Sequence, residues 1–222
     1  MVSIALDGPA GAGKSTLARA AAEKLGYIYV DTGALYRAVG LKFSREGHGT
    51  ELDCDIEKIL EDTSVDIRFI GKEQHVFLDG EDVNSLIRTP EISMMASAVS
   101  AKPPVRAFLL ELQRKLAREN NVIMDGRDIG TVVLPDATVK VFVTATPETR
   151  ANRRYKELTE KGMSVNYDDI LSDIKTRDYN DSHRAVAPLK VAPGGIVFDT
   201  DDLGFEAALD SLMKIIEKGV NQ

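Results

Sequence analysis

The sequence has a single cysteine, three histidines and no long apolar run, and its acidic residues outnumber its basic ones. With Cys54 alone, no intramolecular disulfide can form; an incidental thiol in a reducing, cytoplasmic compartment is the expectation. His48, His75 and His183 show no metal-ligand spacing and read as surface residues. The 28 Lys and Arg against 35 Asp and Glu leave a formal net charge of -7, whose average field repels nucleic acid and acidic membranes. Neither is expected as a partner, and any anion site has to be built locally. No apolar stretch reaches the ~18 residues of a membrane span, and Asp7 breaks the first one, so neither a span nor a signal peptide is expected. Repeats with periods of about 20 to 50 residues and low-complexity tracts are absent too.

What remains is an ordinary globular composition, 43% hydrophobic and 28% charged over 222 residues, enough for one domain with a substantial core. Short apolar or β-branched runs at Val2 to Leu6, Tyr27 to Val30, Asn121 to Met124, Val139 to Thr144 and Ile196 to Phe198 suit buried parallel strands. Between them lie helical patterns at Leu17 to Leu25, Val105 to Glu119, Glu148 to Glu160 and Phe205 to Lys218, with Pro103 and Pro104 marking one helix start. Strands alternating with helices predict a doubly wound α/β fold. Val65 to Ile87 breaks the rhythm: two or three short alternating runs, separated by GKEQ and DGED, predict a small antiparallel insert.

The chemistry begins at DGPAGAGKST. Gly8, Gly13, Lys14 and Ser15 fit GxxxxGK[ST], with an apolar run before and a helical pattern after. In that context Gly8, Pro9, Ala10, Gly11, Ala12 and Gly13 turn the backbone so that N–H groups converge on phosphate oxygens. Lys14 would reach the β and γ phosphates, Ser15 would ligate Mg²⁺, and Thr16 continues the cradle into the helix. ATP and Mg²⁺ are therefore expected. The acceptor is left open, because GTPases, motors and small-molecule kinases all use such a cradle. No NKxD motif for reading guanine occurs, and an acidic single domain has no evident polymer-binding stripe. VDTGALYR (Val30 to Arg37) and NVIMDGRDIGTVVLPDA (Asn121 to Ala137) instead follow strands expected to end on the cradle's side of the sheet. Arg150, Arg153 and Arg154 at i, i+3 and i+4 share a helix face, as would Arg177, Asp181 and Arg184 at i, i+4 and i+7. Either set suits a solvated face or fixed positive charge around a moving phosphoryl group. The polar stretch EKGMSVNYDD between them suits a mobile lid.

Taken together, DGPAGAGKST, DTGALYR, EDV with IRTPE, DGRDIGTVVLPDA and RDYNDSHRAVAPL resemble the bacterial cytidylate kinases, nucleoside monophosphate kinases of the P-loop class, nearly end to end. The resemblance implies ATP-dependent phosphorylation of CMP and dCMP to the diphosphates, with Mg²⁺ and no other cofactor. It also implies a five-stranded parallel sheet, a lid and an enlarged monophosphate-binding region. The corresponding segments are a core at 1–60, 105–147 and 185–222, a monophosphate-binding region at about 61–104 and a lid at about 148–184. Carried over motif by motif, Thr32 supplies a hydroxyl near the acceptor and Arg37 holds its phosphate. Ser97 and Arg106 contact cytosine, Arg127 a phosphate and Asp128 the base. Arg177, Asp181 and Arg184 contact sugar and phosphate, and Asp125 orients magnesium-bound water. Lys14, Arg127, Arg184 and the lid arginines Arg150, Arg153 and Arg154 would supply the charge for direct in-line transfer, and a monomer is expected. A carboxylate near the exocyclic amino group and a guanidinium near N3 and O2 match cytosine, so Asp128 and Arg106 predict preference for CMP over UMP. Another small-molecule P-loop kinase, or a non-enzymatic nucleotide-binding switch, stays open at this point.

Overall fold

The computed structural model describes residues 1–71 and 73–221; Lys72, inside the expected GKEQ turn, and Gln222 lie outside the described residues. Its main sheet has five parallel strands: β1 (Ser3–Asp7), β2 (Ile28–Asp31), β6 (Val122–Gly126), β7 (Val139–Thr144) and β8 (Ile196–Asp199), in the order β2-β6-β1-β7-β8. The small sheet is antiparallel, with β3 (Val65–Ile70), β4 (Glu73–Leu78) and β5 (Glu81–Asp82) side by side. Both sheets are as the run pattern predicts. Ile4, Ala5 and Leu6 of β1 and Val122, Ile123 and Met124 of β6 have no exposed surface, the signature of strands covered on both faces.

The chain divides into two compact units, Ile28–Asn121 and Val2–Tyr27 with Val122–Gln222. In the second, β1 lies between β6 and β7, so that Asp7 is level with Gly126 and Phe142 and the loops after β1 and β6 leave the sheet together. Helix α1 (Lys14–Leu25) starts directly on the first loop and buries Leu17, Ala18, Ala21 and Ala22. A Schellman-type end at Gly26 closes it, with the Tyr27 N–H returning to the Ala22 carbonyl at 2.9 Å. Beyond β6 the chain makes a π-helical turn, Ile129–Val133. Helices α6 (Pro147–Glu160), α7 (Tyr167–His183) and α8 (Phe205–Val220) complete this unit, and α8 buries Ala208, Leu209, Leu212 and Ile216 along one stripe.

The first unit holds β2, α2 (Thr32–Arg45), α3 (Ile56–Glu61), the small sheet, α4 (Pro90–Ser100) and α5 (Pro103–Glu119). The DGED hairpin turns through Asp79 and Gly80, both at positive φ as a two-residue turn of the primed type requires. Helix α5 begins at Pro103, where a missing N–H costs nothing. No helix among the described residues is long and apolar enough to cross a membrane.

Candidate active site

The first position of the loop after β1 admits only glycine. Gly8 has φ 146°, and a Cβ there would lie 1.9 Å from the Val143 carbonyl oxygen of the neighbouring strand. Six residues on, Lys14 opens α1 with its side chain buried and its Nζ donating to the Pro9 carbonyl at 2.7 Å, so the amine curls back into its own loop. Burial, and then the nearby Arg127 guanidinium, lower its pKa to about 7 against the pull of the Asp125 and Asp7 carboxylates. Ser15 donates its hydroxyl to Asp125 Oδ2 at 2.6 Å across 110 residues of sequence. Hydroxyl and carboxylate oxygens thus meet where the cradle becomes helix, a donor set that suits a hard cation such as Mg²⁺.

Of the three arginines on α6, only one touches the cradle. Arg150 is 2% exposed, donating from Nη1 to the Ala10 carbonyl at 3.1 Å and from Nε to the Ala145 carbonyl at 2.9 Å. Its fork also grips the Asp178 carboxylate of α7, one contact being 2.9 Å. Arg153 binds Thr200 beyond β8, Nη1 to Oγ1 at 3.1 Å. Arg154 makes an exposed pair with Glu157 of its own helix at 2.9 Å. The shared helix is as expected, but the three guanidinium groups serve three different partners, because they differ in depth.

A second cluster follows β6. Arg127 donates Nε to Asp181 Oδ2 at 2.9 Å, and the Arg184 guanidinium stands 3.7 Å from Asp128 Oδ1, an ion pair rather than a hydrogen bond. Both carboxylates are buried. The expectation of one helical face for Arg177, Asp181 and Arg184 needs correction: α7 ends at His183, and Arg184 is its C-cap with extended backbone, φ -62° and ψ 143°. Its Nε is held instead by the Ala187 carbonyl at 2.7 Å.

In the first unit, DTGALYR is a compact device. The Asp31 carboxylate caps α2, accepting the Ala34 N–H on Oδ1 at 3.0 Å, and accepts Arg37 Nη2 on Oδ2 at 2.8 Å. A Cβ on Gly33 would sit 3.1 Å from that Oδ1 and 3.2 Å from Arg37 Nη1, so glycine leaves the space the guanidinium crosses. Thr32 is buried at the start of α2. Arg106 is buried on α5, donating to the Ser100 carbonyl at the end of α4 at 3.1 Å, with its guanidinium 5.5 Å from the Tyr36 ring centre. Ser97 lies half-buried on α4 and accepts the Ser100 hydroxyl on its carbonyl at 2.9 Å.

A model of the cytidylate kinase family matches residues 4–218. The cytidylate kinase of Caldicellulosiruptor saccharolyticus is 50% identical over 217 residues, covering 98% of this chain and 96% of that protein. This chain belongs to the cytidylate kinase family. The cytidylate kinase of Caldanaerobacter subterraneus subsp. tengcongensis is 51% identical over 218 residues, 98% of this chain and 95% of that one. Among solved structures, a shikimate kinase from Bacteroides thetaiotaomicron superposes with a TM-score of 0.50 at 15% identity, covering 97% of this chain and 98% of that one. That likeness shows the P-loop kinase fold alone.

One residue of this cytidylate kinase family member that sequence reasoning passed over is Asp7, read only as a break in an apolar run. Its buried carboxylate accepts the backbone N–H groups of Ile129 and Gly130, each at 2.7 Å, and so pins the turn that follows Asp128. Burial raises its pKa to about 6, with the two N–H groups pulling the other way and the Asp128 charge adding to the rise. The available signal was position: a carboxylate ending an apolar strand beside a phosphate cradle has to find donors nearby.

Proposed function

We propose that the chain passes the γ-phosphoryl group of ATP directly and in line to a phosphate oxygen of CMP or dCMP, with no covalent enzyme intermediate. Membership of its family makes it a nucleoside monophosphate kinase, an ATP-dependent transferase acting on these acceptors. The observation that most supports the mechanism is the 2.6 Å Ser15–Asp125 hydrogen bond beside a buried Lys14. Ser15 would hold Mg²⁺ directly and Asp125 through water; when bound, the ion neutralises charge on the β and γ phosphates.

The acceptor phosphate is already anionic, so no general base is needed; the chain's own work is to align and neutralise two repelling anions and keep water away. Lys14, Arg127 and Arg184, together with Arg150, Arg153 and Arg154 of α6, are the proposed sources of positive charge. Gly8 through Gly13 and Thr16 complete the donor cradle. Arg37 is assigned to the acceptor phosphate and Thr32 to a place beside it, Ser97, Arg106 and Asp128 to cytosine, and Arg177, Asp181 and Arg184 to sugar and phosphate. Uracil reverses the donor and acceptor pattern that Asp128 and Arg106 match. Each mismatch costs roughly 1 to 3 kcal/mol, about ten- to hundredfold in selectivity. The protein is proposed to act as a monomer on free nucleotides in the cytoplasm, with residues 148–184 as its lid and residues 61–104 in its monophosphate-binding region.

An acceptor screen with Mg-ATP and CMP, dCMP, UMP, AMP, GMP or dTMP tests the reading. CDP and dCDP are expected to form fastest. ADP release no faster with CMP than with buffer would overturn it.

A further inference from the structure

Gln74 of the small antiparallel sheet reaches the Asp31–Arg37 pair directly. Gln74 of β4 lays its amide against the main chain of Asp31 as a neighbouring strand would: the Asp31 N–H donates to Gln74 Oε1 at 2.8 Å, and Gln74 Nε2 donates to the Asp31 carbonyl at 3.2 Å. The two residues are 43 positions apart and both belong to the first unit. Gln74 is itself anchored. It is paired with Phe69 of β3, and its carbonyl accepts Asn84 Nδ2 at 2.9 Å, while Asn84 Oδ1 accepts the Val76 N–H at 3.3 Å. Asp31 in turn caps α2 and holds the Arg37 guanidinium. Hydrogen bonds therefore connect Asn84, just beyond β5, through Gln74 and Asp31 to the arginine assigned to the acceptor phosphate.

We propose that Gln74 is a positioning residue for the acceptor monophosphate: the insert sets the orientation of Asp31, and through it Arg37, by this single side-chain amide. The inference rests on Arg37 binding the phosphate of CMP. The chemistry of the contact is selective. A primary amide presents a donor and an acceptor side by side at neutral pH, matching the C=O and N–H of one extended residue. Glutamate has the same reach but no donor for the Asp31 carbonyl, and it brings a negative charge beside the Asp31–Arg37 pair. Asparagine is one methylene too short to keep both bonds. A glutamine that merely stapled the insert to β2 would affect stability and both substrates alike, whereas a positioning residue acts on one substrate and through one partner.

The test compares wild type, Gln74→Ala, Gln74→Glu, Arg37→Ala and the double variant Gln74→Ala/Arg37→Ala, using steady-state kinetics with each substrate varied and calorimetric Kd values for CMP. Gln74→Ala is expected to raise KM and Kd for CMP about tenfold, the scale of one lost oriented hydrogen bond to a charged site. KM for ATP and kcat at saturating CMP should stay within about twofold of wild type. Gln74→Glu, which sets a carboxylate oxygen against the Asp31 carbonyl, should weaken CMP binding at least as much as alanine does. In the Arg37→Ala background the further change in CMP Kd should be under about twofold, because the arginine that Gln74 positions is gone. An unchanged Kd for CMP in both folded Gln74 variants, or the same tenfold loss with and without Arg37, would overturn the proposal. Should Gln74→Ala fail to fold, the isosteric Gln74→Glu carries the same comparison. Absence of CMP-dependent ADP release in wild type, or an Arg37→Ala protein that binds CMP normally, would overturn the functional reading and this inference with it.

Discussion

Two strand-to-helix junctions, β1 into α1 and β2 into α2, handle the start of a helix in opposite ways. Before α1 the chain inserts a glycine-rich loop, and no side chain caps the helix, so its first N–H groups and their partial positive charge stay available to an anion. Before α2 there is no loop: Asp31 ends the strand and caps the helix, so its own carboxylate takes the Ala34 N–H and sets a negative charge at that terminus. The second junction then supplies positive charge with a side chain, Arg37, one turn along and held by the same carboxylate. In the proposed function the uncapped terminus meets polyphosphate with backbone, and the capped one presents a guanidinium. Backbone recognition suits a donor whose phosphates are common to many nucleotides, and a guanidinium held by a carboxylate suits a single phosphate that must be placed with one orientation.

The difference can be broken at the lysine first. Lys14→Met should lower turnover at least about a hundredfold, as loss of a charge aimed at the transferring phosphate does. The ligand-free protein should meanwhile melt at the wild-type temperature or above, because a buried amine with a pKa lowered to about 7 has been removed. The sign follows from linkage. Lys14 is lowered on folding, so its contribution to stability is complete above its unfolded pKa and is lost as pH falls through about 7. Scanning calorimetry at pH 6 and pH 9 should show that slope in wild type and a flatter one in the variant.

Removing the other junction's cation has a smaller and more selective effect. Arg37→Ala should raise KM for CMP about thirtyfold, in line with charge-assisted hydrogen bonds to a phosphate, and leave KM for ATP unchanged. A matched rise in both values would mean that the junctions are not divided between the two nucleotides. Asp128→Asn should narrow the ratio of kcat/KM for CMP over UMP by about tenfold, measured with each acceptor in turn. The smallest effect is expected at Asp7, where one carboxylate is tied to a backbone turn rather than to a nucleotide. Its pKa is raised on folding to about 6, so its favourable contribution is present below 3.8 and lost as pH rises through about 6. Asp7→Asn should remove that loss, and its melting temperature relative to wild type should climb by a few degrees between pH 4 and pH 7.

The contrast between the junctions also explains what could be read in advance. The cradle is local: strand, loop and helix follow one another within Ser3–Leu25, and all its parts sit in one motif. The strands and helices were legible for the same reason, β7 running from Val139 to Thr144 as its pattern predicts and α5 starting at Pro103. The turn chemistry of DGED announced the hairpin between β4 and β5. What spacing did not reveal are contacts made across the fold. Nothing near Ser15 announces Asp125, and nothing near Asp7 announces Gly130. Helical periodicity placed Arg184 on a face with Asp181, but the helix stops at His183, and the arginine's position depends on the Ala187 carbonyl. It likewise grouped Arg150, Arg153 and Arg154 without indicating that one would be buried against Asp178 and another bound to Thr200. Residue types and family motifs pointed to the chemistry of these groups, and only the packed structure showed which partner each arginine meets.

The central claim is that residues outside the cradle choose the acceptor, and one competition experiment tests it most directly. CMP and UMP are supplied together at equal concentration with limiting Mg-ATP, and CDP and UDP are quantified from the same vessel. A CDP to UDP ratio of at least about ten is predicted from the mismatched contacts that uracil would make. Equal amounts of the two diphosphates would contradict it.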